Sequence, residues 1–185
     1  MSIVVSDTSP IRALHQLGLI SLLETLFGEV LVPPAVVAEL AAPRRAFPSI
    51  DVASVACLRV TAPKDQSQVA ILRRTLDAGE SEAIALALEL GADLIDEASG
   101  RSEARRLGIQ PVGVLAVLIR GKKSGAVSAV MPLVDRLRDD FGFFVSTHLA
   151  GTIRQLCRGV IAPMTILTHL SLHLQYPCRR NGVRR

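Results

Sequence analysis

The feature that most constrains this chain is a change of hydrophobic period that recurs along it. Ile3-Val4-Val5, Val30-Leu31-Val32, Cys57 to Val60 and Leu94-Ile95 are short apolar runs, and each is followed by a longer segment in which apolar residues return every three or four positions. Continuous apolar runs suit strands buried on both faces, and the amphipathic segments suit helices laid over them. Alternation of the two therefore specifies βα units around a parallel sheet. Ser9 followed by Pro10 reads as a cap with a first-turn proline, and Pro33-Pro34 starts a helix carrying Val36, Val37 and Leu40. Asp77-Ala-Gly-Glu80 opens the strongest helix, Ser81 to Leu90, closed by Gly91. Further helices are expected near Ser67 to Leu76, up to Leu107, over Leu115 to Lys123, Ala129 to Asp139 and Leu149 to Arg158, with strands near Ile109 to Val112 and Phe143 to Val145. Residues 41–55 hold two prolines and no period, and read as an irregular connection.

Composition narrows the class. With 185 residues, 49% hydrophobic and a net charge of +4, the chain can bury a substantial core, which excludes general disorder. Residues 1–158 carry 17 Lys+Arg and 17 Asp+Glu, whereas residues 159–185 hold Arg179, Arg180, Arg184, Arg185 and no acid. The basic balance thus belongs to the tail, and a nucleic acid would have to be met by a local patch or a metal. Cys57, Cys157 and Cys178 are odd in number and widely spaced, which fits a reducing compartment rather than a disulfide framework. The opening MSIVVSDTSP lacks a basic segment ahead of an apolar one, and no apolar run reaches about 18 residues. A cytoplasmic protein with no membrane span is expected.

Acids recur where strands end. Asp7 closes the first strand, Asp96-Glu97 closes the strand at Leu94-Ile95, and Glu39 and Glu80 lie on helices just beyond such ends. Parallel α/β folds place their sites at that edge. An isolated helical acid is usually only solvated, and Asp7 taken alone is equally suited to a cap or turn. Several carboxylates kept together repel one another unless a cation offsets their charge, and hard oxygen donors select Mg²⁺ or Mn²⁺, ions that serve phosphoryl chemistry.

Four segments together resemble the PIN-domain nucleases, and specifically their VapC-like toxin branch. They are Ile3-Val-Val-Ser-Asp-Thr-Ser-Pro10, Val32-Pro-Pro-Ala-Val-Val-Ala-Glu39-Leu40, Asp77-Ala-Gly-Glu-Ser-Glu-Ala-Ile-Ala-Leu-Ala87 and Leu94-Ile-Asp-Glu97. The likeness runs from residue 3 to about 158. It implies a three-layer α/β/α fold with a central parallel sheet and a Mg²⁺- or Mn²⁺-dependent ribonuclease site. By motif, Asp7, Glu39 and Glu80 match the first three acids, the fourth falls on Asp96 or Glu97, and Ser9 matches a hydroxyl near the metal. The chain departs from the pattern in its short Leu94-Ile95 run and in reading Asp96-Glu97-Ala98 where similar members show Asp-Asp-Arg. The resemblance further implies an RNA substrate, a small antitoxin protein that covers the acids with a basic side chain, and a homodimer. The alternative from a different class is a catalytically degenerate PIN-like module that only binds protein.

Other signals carry less. Glu82 is two residues from Glu80 and is expected to face elsewhere. Arg101, Arg105 and Arg106, with Arg120, Lys122 and Lys123, either contact phosphates or form solvated faces. A haloacid-dehalogenase-type phosphatase would need an acid where Ser9 stands. His169 and His173 have the i, i+4 spacing of a metal pair but no third ligand motif. Residues 1–158 are expected to form the PIN-like domain, with the tail of residues 159–185 outside it. A chain ending at Arg158 should therefore unfold cooperatively, as heat or urea titration would show; a broad, non-cooperative transition would place the tail in the core.

Overall fold

The computed structural model describes residues 3–43, 47–96 and 100–141, together with Gly151. Four strands, β1 (Val4–Ser6), β2 (Val30–Val32), β3 (Leu58–Val60) and β4 (Asp93–Ile95), form one parallel sheet in the order β3-β2-β1-β4. Among the described residues eight helices cover it: α1 (Thr8–Gln16), α2 (Ser21–Phe27), α3 (Pro34–Ala41), α4 (Gln66–Leu72), α5 (Ala78–Leu90), α6 (Gly100–Arg106), α7 (Val114–Lys123) and α8 (Met131–Phe141). The strand expected over Ile109 to Val112 is reduced to a single parallel bridge, Ile95 to Val112, at the outer edge of β4. The expected strand Phe143 to Val145 and the tail lie outside the described residues, as does the expected helix Leu149 to Arg158 apart from Gly151, which is helical. Within the span 41–55, which reads as irregular, Ala41 ends α3 and Val52–Ser54 form a 3-10 turn.

Side chains alternate across the sheet and so divide the core in two. Val4, Val30, Val32, Leu58 and Ile95 join Ile11, Leu14, Leu23, Leu40, Leu118 and Leu137 on one face. Val5 and Leu94 join Leu72, Ile84, Leu86 and Ala104 on the other, with Leu31 packed against them. Val5 pairs in register with both Leu31 and Leu94, which is why these three share a face. The result is a three-layer α/β/α sandwich. Its chain leaves β1 toward β2 and β3 on one side, then crosses back to β4 on the other, so β1 and β4 flank the point where the strand order reverses.

Helix ends show how local sequence and tertiary contacts divide the work. The α1 cap is Asp7 rather than Ser9, because the helix already begins at Thr8; Asp7 accepts from the backbone N–H of Ser9 at 3.5 Å. Pro10 then sits within the first turn, where a missing N–H costs nothing. Asp77 and Glu80 form a reciprocal capping box on α5, with the Glu80 N–H donating to Asp77 Oδ1 at 2.9 Å, and Gly91 closes the helix at φ +58°. Pro33 cannot cap α3 with its side chain. Glu82 of α5 supplies the acceptor instead, its Oε2 2.8 Å from the Ala35 backbone N.

Arg12 ties α1 to the far end of α3. Its guanidinium is buried and donates to the carbonyls of Glu39 at 2.5 Å, Ala42 at 2.8 Å and Pro48 at 3.3 Å, and it lies over the Phe47 ring. It thus adds a charged donor to the Glu39 carbonyl in the last turn of α3, which also accepts from the Ala42 N–H at 3.2 Å, and to two carbonyls beyond the helix. Arg12→Met should cost about 3 kcal/mol in urea unfolding with an unchanged m-value, because three carbonyls lose a charged donor inside the protein. A loss below about 1 kcal/mol would show that other donors replace it.

Candidate active site

The acids stand at the C-terminal edge of the sheet, around the reversal point. Asp7 follows β1 and Asp96 follows β4; the backbone N–H of Asp7 donates to Ile95 O at 3.0 Å and that of Asp96 to Val112 O at 3.1 Å, which seats both at the same level. Both side chains are buried. Asp7 Oδ1 has neither solvent nor a hydrogen-bond partner, while Oδ2 is spent on capping α1. Glu80 is also buried, and its Oε1 accepts from the N–H of Gly100 at 3.3 Å, so the capping box of α5 reaches across to the start of α6. Gly100 lies directly under Asp96: a Cβ there would stand 2.7 Å from Asp96 Oδ2 and 3.6 Å from the Glu80 Cβ. The absence of a side chain at residue 100 is what lets Asp96 and Glu80 share this corner.

Glu39 is held by donors from two other helices. Thr8 Oγ1 donates to its Oε2 at 2.7 Å and the Gly79 N–H donates to its Oε1 at 2.9 Å. The second contact places the carboxylate at the N-terminus of α5, where the helix dipole favours negative charge. A Cβ on Gly79 would approach both Glu39 oxygens to 2.9 Å, so this contact too depends on a glycine. Helices α3 and α5 therefore exchange acids, Glu39 for the start of α5 and Glu82 for the start of α3.

The electrostatics follow from this crowding. Burial, and then the charge of Asp96, push the Asp7 carboxyl well above its ordinary value of 3.8; Glu80 and Asp77 add to the effect and the Thr8 backbone N–H opposes it. The donor set is entirely oxygen, which suits a hard divalent ion. Among the described residues, however, no three acidic, histidine or cysteine side chains stand in a geometry that would hold a metal. Glu39 is held by backbone and hydroxyl donors and Glu80 accepts from backbone donors.

The sequence profile of the PIN-domain family matches residues 3–158. The chain belongs to that family. No curated protein and no solved structure matches it. PIN domains are generally nucleases, so nuclease-type chemistry on nucleic acid is the activity that membership brings.

Within this PIN domain, Asp7, Glu80 and Asp96 gather at one corner, with Glu39 bound beside it through Thr8 and Gly79. Glu97 lies outside the described residues. Ser9 is half-buried at the start of α1 and contributes its backbone N–H to Asp7. Sequence reasoning missed Thr8, whose hydroxyl positions Glu39, although it lies inside the quoted Asp7-Thr-Ser-Pro motif. It also missed Gly100, for which no local pattern exists. Among the basic residues, Arg106 is exposed and pairs with Glu103, Arg120 lies over the Phe27 ring, and Lys122 donates to Ser128 O. Arg101 is buried, which corrects its reading as part of a solvated face.

The direction of the Asp7 shift fixes a stability effect. The folded protein binds this proton more tightly than the unfolded chain, so its stabilising contribution is complete below pH 3.8 and is lost as pH rises through the elevated folded value. Asp7→Asn cannot ionise, yet keeps an oxygen for the Ser9 N–H. In metal-free buffer at pH 7 it should raise Tm by about 2–4 °C, and the gain should shrink as pH falls toward 4. Calorimetry checks this; a lower Tm at pH 7 would show that the carboxylate stabilises the empty site.

Proposed function

We propose that this PIN domain is a divalent-metal-dependent endoribonuclease of the VapC-like branch, acting in the cytoplasm as the toxin of a toxin–antitoxin pair. The observation that carries the reading is the buried Asp7 with its partnerless Oδ1, set beside Asp96 and Glu80 at the reversal point of the sheet. A fold holds a buried, unsatisfied carboxylate against two others at a cost, and a cation is the partner that removes it. Asp7, Asp96 and Glu80 are the acids we assign to Mg²⁺ or Mn²⁺, with Glu39 and the sequence-adjacent Glu97 completing the set and Ser9 nearby; because the described acids do not form a ready-made metal geometry, binding would have to turn their side chains toward the ion. When bound, the ion supplies Lewis acidity toward a phosphodiester. The chain's own part is positional. Asp7 is fixed by its cap on α1, Glu80 by the capping box, and Glu39 by Thr8 and Gly79, so each carboxylate keeps its place without relying on solvent.

A small antitoxin fits the same charge logic, because an inserted Arg or Lys offsets clustered acids as a metal does. A homodimer is proposed on the family likeness alone. Among the described residues no helix is long and apolar enough to cross a membrane. The second reading, a degenerate protein-binding module, is favoured by one observation: the described acids do not converge in a metal-holding geometry.

Cleavage of a mixed RNA pool by the purified protein, with and without chelator, decides between them. The parent should cut in Mg²⁺ or Mn²⁺ and stop with chelator, and Asp7→Asn should be slower by ~100-fold or more. Glu82→Gln should remain near the parent rate, since an amide oxygen still accepts from Ala35. Equal rates for the parent and Asp7→Asn at saturating metal would overturn the assignment. A protein that cuts nothing, yet copurifies with a small partner, would establish the binding module.

A further inference from the structure

Arg101 and Arg105 lie four residues apart on α6, on one helix face, Arg101 buried and Arg105 half-buried. Arg101 is 5% exposed. Its Nε and Nη1, and the Nε and Nη2 of Arg105, are shielded from solvent and have no hydrogen-bond acceptor. Buried guanidinium donors are normally satisfied, so four unsatisfied nitrogens on two adjacent side chains mark a place for acceptors that the chain does not itself provide. Their location is equally specific. Arg101 follows Gly100, whose N–H donates to Glu80 and on which a Cβ would stand 2.7 Å from Asp96 Oδ2, so the pair begins one peptide away from the acidic corner. The charges of Arg101 and Asp96 both act on Arg105, which places the three groups in one electrostatic neighbourhood. Arg106 of the same helix behaves in the ordinary way, exposed and paired with Glu103 at i, i+3.

We propose that Arg101 and Arg105 form a phosphate clamp that grips the backbone of a nucleic-acid strand beside the acidic corner. Two like charges on neighbouring forks call for an anion whose charge repeats or whose oxygens can be approached from several planes. A phosphodiester backbone offers both, whereas a single planar carboxylate offers one bidentate pairing. The identity of the strand rests on the nuclease reading above, and the anion chemistry does not. The clamp would also supply what the neutral body of this chain otherwise lacks, a local cationic contact for a polyanion at the place where the acids would repel it.

The test uses the full chain in chelator, so that affinity for an anion must come from protein cations. Inorganic phosphate should raise Tm above that in chloride at matched ionic strength, and Arg105→Gln should remove the increment while Arg106→Gln keeps it. A fluorescein-labelled single-stranded RNA, followed by anisotropy across a salt series, should bind Arg105→Gln about tenfold more weakly, with the slope of log K against log salt reduced by about 0.7. Arg101→Lys guards against loss of folding at the buried position. It keeps the charge, so it should retain the parent's salt slope while weakening binding severalfold through loss of the fork. The proposal is overturned if phosphate stabilises no more than chloride, or if Arg105→Gln binds RNA with the parent's affinity and slope. It is also overturned if acetate stabilises as well as phosphate, which would assign the pair to a partner's carboxylate. Anion and RNA binding through the pair in a protein that cleaves nothing would keep the clamp and remove the nuclease reading. Cleavage by a protein whose RNA affinity ignores Arg105 would do the reverse.

Discussion

Mutual repulsion among carboxylates is the constraint around which this PIN domain is arranged. Asp7, Glu80 and Asp96 are buried within one electrostatic neighbourhood, and Asp7 shows the consequence in a carboxyl that resists ionising. Such a cluster persists only if each member is anchored by something stronger than its neighbours' repulsion. Here the anchors are backbone donors: the first turn of α1 for Asp7, and the reciprocal cap of α5 together with the start of α6 for Glu80. Each of these helix starts presents N–H groups with no intrahelical partner and a favourable dipole, so the same carboxylates that burden the site complete the helices.

The anchoring extends beyond the corner through α3 and α5. These helices exchange acids, Glu39 reaching Gly79 and Glu82 reaching Ala35, so that neither can slide along the other without losing a charge-assisted hydrogen bond. Arg12 fixes the opposite end of α3 to α1 through the carbonyls of Glu39 and Ala42. Glu39 is therefore located twice, its side chain by α1 and α5 and its backbone by Arg12. Glycine at residues 79 and 100 is the steric condition for this closeness, since a methyl group at either place would occupy space taken by a carboxylate oxygen.

Charge of both signs is concentrated on one short connection. Between the end of β4 and the end of α6 lie Asp96, buried on one side of Gly100, and Arg101, buried on the other. The acidic corner and the guanidinium pair are neighbours in sequence and in space, so acidic and basic groups meet where a parallel sheet leaves its crevice.

The sequence by itself determined the βα alternation, the division of the core by strand period, and the caps whose partners lie within a few residues, as in Asp77-x-x-Glu80. These are local quantities, set by backbone dihedrals, hydrogen-bond reach and side-chain periodicity over a few positions. It also placed Asp7 and Asp96 at strand ends, because a strand end is visible where apolar residues stop. Only the tertiary structure decided which helical acid turns where. Glu80 and Glu82 differ by two residues, yet one faces the corner and the other caps a helix more than forty residues away in the chain. Arg101 and Arg106 likewise look alike in sequence, but one is buried beside Asp96 and the other lies in solvent against Glu103. Burial and long-range hydrogen bonding depend on how helices pack across the sheet, and strand order β3-β2-β1-β4 is set by the summed packing of both faces rather than by any segment's own pattern.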